Sequence, residues 1–108
     1  MAEISEKVNS VLYRYIADIN NYIKIDKAYL FGSYAKGNFN EYSDIDVAIF
    51  SDDFKRQSFL DAVSFLFSLA RKYKEVCIEP IAFTLSDLHD GNPFAKEIVA
   101  TGKEIILQ

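Results

Sequence analysis

Between residue 4 and about residue 23, Ile4, Val8, Val11, Leu12, Tyr15, Ile16, Ile19 and Ile23 recur at helical spacing, with Lys7, Arg14 and Asp18 turned away. This predicts an amphipathic helix whose apolar stripe faces a core. "KAYLF" then reads as a short strand stopping at Gly32, and "SDIDVAIF" as a second strand. Residues 51 to 57 are polar and charged and read as a loop or a frayed helix start. Ser58 followed by Asp61 resembles a capping box opening a helix through about Tyr73, with Phe59, Val63, Leu66, Phe67, Ala70 and Tyr73 as its buried stripe. "EVCIEPIAF" is a third strand, which Pro80 pushes toward an edge position or a bulge. "NPFAKEIVATG" has Asn92 as cap, Pro93 in the first turn and Gly102 past the end of a last helix, and "EIIL" forms a closing strand.

The predicted order, helix, strand, turn, strand, helix, strand, helix, strand, implies an α/β or α+β fold: a sheet of about four strands with helices packed on it. The 108 residues suit one domain, residues 1–108, without repeats or linkers. Half of the residues are hydrophobic and 15% are aromatic, so the chain can bury a core.

Charge narrows the function. Twelve basic residues against sixteen acidic ones give −4, which argues against broad binding to nucleic acid. A local phosphate site built from one or two lysines remains open. The single cysteine, Cys77, excludes an intrachain disulfide and reads as a small buried residue in an apolar run. The opening "MAEISEKVNS" carries charges where a signal peptide would be apolar, and no run approaches membrane-spanning length. The expected location is the cytoplasm.

The chemistry concentrates in "FGSYAKGNFNEYSDIDVAIF", residues 31–50. Asp44 and Asp46 stand two apart at the start of a strand, so both side chains point to one face, with Cα atoms about 6.6 Å apart. Carboxylates so placed can converge on shared cations; without a cation they repel. Ile45, Val47 and Ile49 face the other way and supply the packing. The bland alternative is an Asp44 that caps a turn and an Asp46 that is a solvated strand end. Haloacid-dehalogenase phosphatases and D-x-D glycosyltransferases also carry such a motif, but there the apolar strand precedes the aspartates, whereas here it follows them. Ahead of the pair, Gly32 lets backbone approach a ligand closely, and Ser33 and the amides after it open a short helical turn. Lys36 adds a positive charge and Gly37 lets the chain reverse, a cradle suited to polyphosphate. It is not a P-loop, and by itself it would be an ordinary turn.

Taken together, Gly32, Ser33, Ala35, Lys36, Gly37, Ser43, Asp44, Ile45, Asp46 and Val47 resemble the G-S-x-A-R-G then S-D-[IL]-D-[LV] pattern of the DNA polymerase beta-like nucleotidyltransferase superfamily, with lysine where arginine is usual. Nearly the whole chain shares the resemblance, and its length and ending are similar to the minimal nucleotidyltransferases (MNT-type), essentially a palm-like catalytic domain. The resemblance implies transfer of a nucleoside monophosphate, AMP from ATP, to an acceptor hydroxyl, with two Mg²⁺ ions. It also implies a small helical HEPN-type partner protein, which in toxin–antitoxin pairs is the target of adenylylation by an antitoxin of this kind. Asp44, Asp46 and a third carboxylate would hold the metals, while Gly32, Ser33, Lys36 and Ser43 would hold nucleotide phosphates. Glu79 is the expected third carboxylate, the only charge inside "VCIEPIAF", where the family more often has aspartate. A Glu on an exposed edge beside Pro80 is the structural alternative.

Other polar and aromatic residues carry weaker expectations. His89 falls in a surface turn, "DDFKR" is a solvated stretch, and Tyr34 and Tyr42 flank the site, where they could pack on a base or ribose or simply cover the turn. An acceptor pocket supplied by another chain would leave exposed apolar surface here. Two further readings stand beside protein adenylylation: transfer to a small hydroxylated molecule, and a non-catalytic subunit that neutralises a helical partner by contact.

Overall fold

The computed structural model describes residues 5–40 and 43–107. Ser5 starts the first helix by accepting the Val8 N–H at 3.2 Å, and α1 runs Glu6–Asn20. Val8, Val11, Leu12, Tyr15, Ile16 and Ile19 are its buried side, as their spacing predicted. The helix stops three residues short of the expected end because Asn20 turns its side-chain carbonyl back to the Ile25 N–H at 3.2 Å. The Ile4 expected in the same stripe lies outside the described residues.

After β1 (Lys27–Phe31) come a one-turn helix α2 (Ser33–Lys36) and β2 (Ile45–Phe50). A 3-10 turn, Asp52–Arg56, leads to α3 (Phe59–Ala70) and β3 (Ile78–Phe83). The chain closes with α4 (Leu85–His89), α5 (Pro93–Thr101) and β4 (Lys103–Glu104). The sheet order is β3-β2-β1-β4: β1 is antiparallel to β2 and β4, and the α3 crossover brings β3 back parallel to β2. This is the expected four-stranded sheet with helices packed on it, and its pairing is mixed.

The strands alternate between two cores. Ile45, Val47 and Ile49 join Ala28, Leu30, Ile78 and Ala82 under α1 and α3. Ala48 and Phe50 join Tyr29, Phe83, Ala95 and Ile98 on the α5 side. On the first face, the buried Tyr15 hydroxyl donates to the Leu66 carbonyl at 2.9 Å and locks α1 to α3. Leu66 is fully buried, and truncating such a residue to alanine costs about 2–5 kcal/mol. On the second face, Phe50 stacks on Phe83 with centroids 5.1 Å apart, and Phe94 meets both Phe83 and Phe31 edge-on.

Pro80 sits on the edge strand, as expected, and the ladder explains why it is tolerated. The Ile45 N–H donates to the Cys77 carbonyl at 2.8 Å and the Ser51 N–H to the Phe83 carbonyl at 2.9 Å. Odd-numbered residues of β3 therefore bond to β2, and the N–H that Pro80 lacks would have faced the open edge.

Several expectations change. α3 ends at Ala70, short of Tyr73, and its buried side is Ala62, Leu66, Leu69 and Ala70. Phe59 and Phe67, expected inside, are exposed. "FLDAVSFLFSLA" is apolar around most of its circumference, so periodicity admits more than one buried face. Ser58 does cap α3, accepting the Asp61 N–H at 3.1 Å. "DDFKR" is a wound 3-10 turn with Phe54 buried, and its aspartates receive backbone N–H groups from Lys24 (2.9 Å) and Leu85 (3.1 Å). His89 ends a helix rather than sitting in a turn, because Thr84 and Asp87 form a reciprocal capping box that winds α4. The closing strand is confined to Lys103–Glu104, with the Ile105 N–H adding one bond to Ala28.

Candidate active site

The site is assembled where β1 ends and β2 begins. Phe31, the last residue of β1, is the register partner of Asp46. Gly32 then takes φ +69°, ψ −145°, a backbone shape that side chains disfavour. Its bare Cα also faces the Asp46 carboxylate, into which a Cβ would project. The Gly32 carbonyl accepts the Ala35 and Lys36 N–H groups at 3.1 Å, which winds α2, and Gly37 at φ +82° ends it in the left-handed region.

Tyr34 is the anchor of this turn. It is buried and stacks on Phe39, with centroids 4.3 Å apart and planes 14° from parallel. Its ring belongs to the core, which decides between the two roles expected for it; Tyr42 lies outside the described residues. Lys36 is exposed, while Gly32 and Ser33 are half-buried. Ser43 clasps its own loop: its hydroxyl accepts the Asn40 N–H at 2.9 Å and its N–H donates to the Asn40 carbonyl at 3.1 Å. That clasp presents Asp44 at the mouth of β2.

Asp44 is exposed just ahead of β2, and Asp46 is half-buried within it. Glu79 is the register partner of Asp46 on the parallel neighbour β3. Adjacent strands in register carry paired side chains on one face, so three carboxylates meet at this corner of the sheet. Glu79 is exposed, so its interest lies in that register and not in the buried charge the sequence suggested.

The carboxylates crowd one another. Burial, and then the Asp44 charge, push Asp46 above the usual carboxylate range. The Asp44 charge raises Glu79, helped by burial, a hydrogen bond with Asp44 and the Asp46 charge. Among the described residues none of the ion pairs reaches this corner. Clustered oxygen donors carrying excess negative charge are the chemistry a hard divalent cation satisfies.

Cys77 belongs to the same corner, which sequence reasoning missed. It is exposed rather than buried, and donor atoms of Asp44, Cys77 and Glu79 all lie within 4.8 Å of one another. The available signal was the Cys-x-Glu spacing, which places both side chains on one face of a strand. A hydrogen bond to Asp44, then burial and the surrounding carboxylates, raise the thiol above its ordinary value. A cavity of about 450 Å³ opens beside Tyr34, Ser43 and Cys77, with Lys7 and Lys74 in its wall.

Comparisons with known proteins bear on the family and the fold. The family described as "Polymerase beta, Nucleotidyltransferase" matches residues 14–108. A crystal structure of a Sulfolobus solfataricus protein, provisionally described as a nucleotidyltransferase, superposes with a TM-score of 0.64 over 83% of this chain and 84% of that one. At 15% identity the likeness is one of fold. No curated protein sequence matches the chain. With its mixed sheet, its glycine-serine turn and its match over residues 14–108, the chain belongs to the polymerase beta nucleotidyltransferase family.

Proposed function

We propose that the chain transfers a nucleoside monophosphate from a nucleoside triphosphate to an acceptor hydroxyl, with Asp44, Asp46 and Glu79 holding divalent cations. The observation that carries this is the meeting of the three carboxylates at one corner of the sheet, with Asp46 lying against the Gly32 backbone. Mg²⁺ fits the oxygen donors, and when bound it polarises the phosphoryl group and neutralises developing charge.

The chain's own groups supply positioning. The Ser33 hydroxyl, the Gly32–Ser33 backbone and the mobile ammonium of Lys36 would hold the β- and γ-phosphates. Ser43 keeps Asp44 at the mouth of the strand through its loop clasp. In the reaction the acceptor oxygen bonds to the α-phosphorus while the bond to the bridging oxygen breaks. Pyrophosphate leaves beside Lys36, and the hydroxyl proton passes to solvent.

The finer reading is AMP from ATP, delivered in the cytoplasm to a small helical HEPN-type partner, as the antitoxin of a toxin–antitoxin pair. Its support is the resemblance in motif and the exposure of Phe59, Leu60 and Phe67 on α3, apolar side chains that a protein partner would cover. The same exposed residues favour one second reading, neutralisation of that partner by contact alone. Incubation with Mg²⁺, each α-labelled nucleoside triphosphate and the partner tests both. Label on the partner that vanishes in Asp44→Ala/Asp46→Ala supports transfer, and neutralisation that survives the double substitution supports contact.

A further inference from the structure

We propose that Cys77 is a further ligand at this corner, so that Asp44, Cys77 and Glu79 form a mixed sulfur–oxygen site selecting borderline divalent cations such as Zn²⁺ or Co²⁺ over Mg²⁺. The proposal rests on the reading above that Asp44 and Glu79 hold a cation.

The placement of the thiol is set by the sheet. The Ile45 N–H grips the Cys77 carbonyl at 2.8 Å, which holds residue 77 beside Asp44 at the entry to the parallel ladder. Ile78, between Cys77 and Glu79, is buried under α1 and α3 and fixes the strand. Cys77 and Glu79 therefore share the opposite face, the face of Asp46. Donors around one tetrahedral zinc-class ion stand about 3.6 Å apart, given metal–sulfur and metal–oxygen bonds of about 2.3 and 2.1 Å. The three donor atoms already lie within 4.8 Å, so small side-chain rotations close the site.

Softness then divides the corner between two kinds of ion. Asp44 and Glu79 serve both. Mg²⁺ would add an Asp46 oxygen and several waters and ignore sulfur, whereas Zn²⁺ or Co²⁺ would take the thiolate. Coordination releases the thiol proton to solvent. Zn²⁺ would thus compete with Mg²⁺ for Asp44 and Glu79, and the identity of the bound ion would be set by the only cysteine in the chain.

The test titrates Co²⁺ into the full chain and follows the near-ultraviolet sulfur-to-cobalt charge-transfer band, with Co²⁺, Zn²⁺ and Mg²⁺ affinities measured by calorimetry. The expected result is a one-equivalent band that Cys77→Ser abolishes, with Co²⁺ and Zn²⁺ affinity lowered about tenfold or more and Mg²⁺ affinity unchanged. Co²⁺ binding without the band, or Zn²⁺ affinity indifferent to Cys77→Ser, overturns the proposal and leaves the carboxylate site standing. Failure of all three ions to bind overturns both.

Discussion

The backbone of Gly32 lies against the carboxylate of Asp46, closely enough that no other residue fits at position 32 without moving that carboxylate. Two halves of the motif, separated in sequence by the α2 turn and its loop, are thus one packed unit. Gly32→Ala should cost about 1–3 kcal/mol from the backbone conformation alone, with the collision adding to it. Urea denaturation reads the stability loss. A Gly32→Ala/Asp46→Ala double variant should recover the collision part but not the conformational part, a positive coupling that a double-mutant cycle measures. Nucleotidyl transfer should remain absent in both.

The crowding of Asp46 and Glu79 makes opposite predictions for activity and stability. Asp46→Asn and Glu79→Gln should each lower transfer by about 10²-fold or more, taking the loss of one electrostatic group as the scale. In the metal-free protein the same changes should raise the melting temperature near neutral pH. Both carboxyls titrate above their unfolded values, so the folded chain keeps their protons over a window where the unfolded chain has lost them. Wild-type stability therefore falls relative to the variants as pH rises from about 4 through the raised values. Saturating Mg²⁺ should close the gap at neutral pH and have no effect well below pH 4. Melting curves at acid and neutral pH, with and without Mg²⁺, decide it.

Much of this corner was legible because its pieces are local. The Gly-Ser turn, the alternation of Asp46 with Ile45 and Val47, and the edge placement of Pro80 follow from neighbours within a few residues. Glu79 was legible for the wrong reason: it is exposed, and only the parallel register with β2, which no local pattern specifies, sets it beside Asp46. Cys77 failed in the same way, since an apolar run suggests burial while the thiol sits at the strand's open entry. The phase of α3 was ambiguous because Phe59, Leu60 and Phe67 outnumber the positions its interface can hold. α4 hid because five residues show no periodicity and depend on the Thr84–Asp87 box.

The joint between α1 and α3 should appear in an alkaline titration. Burial, then the hydrogen bond and charge of Asp18, push the Tyr73 phenol up to about 12, and burial raises Tyr15 further. Unfolded tyrosines ionise near about 10, so the folded chain holds these protons more tightly. Their contribution is complete below about pH 10 and is lost as pH climbs through about 12. Tyrosinate absorbance should show three of the seven tyrosines delayed, Tyr15 and Tyr73 here and Tyr34, which burial also raises. Tyr73→Phe should cost about 1.5–3 kcal/mol near neutrality, a gap that narrows at alkaline pH.

Gly102 offers a test of how firmly α5 seats β1. Its φ of −83° suits any residue, so conformational strain plays no part. A Cβ there would stand 2.6 Å from the Ile98 carbonyl oxygen and 2.8 Å from that of Leu30. Both obstacles are backbone, one the last turn of α5 and the other the strand that delivers Phe31 and Gly32. Neither can rotate aside as a side chain would, so Gly102→Ala should cost about 1–3 kcal/mol, the scale of overpacking. Relief requires α5 to lift from β1, which loosens Ile98 and the Phe31–Phe94 contact. Amide hydrogen exchange should therefore quicken at Leu30 and Phe31, while the α1–α3 joint, packed on the other face of the sheet, keeps its protection. Equal loss across both faces would mean that the two layers unfold as one and that α5 does not seat the strand separately.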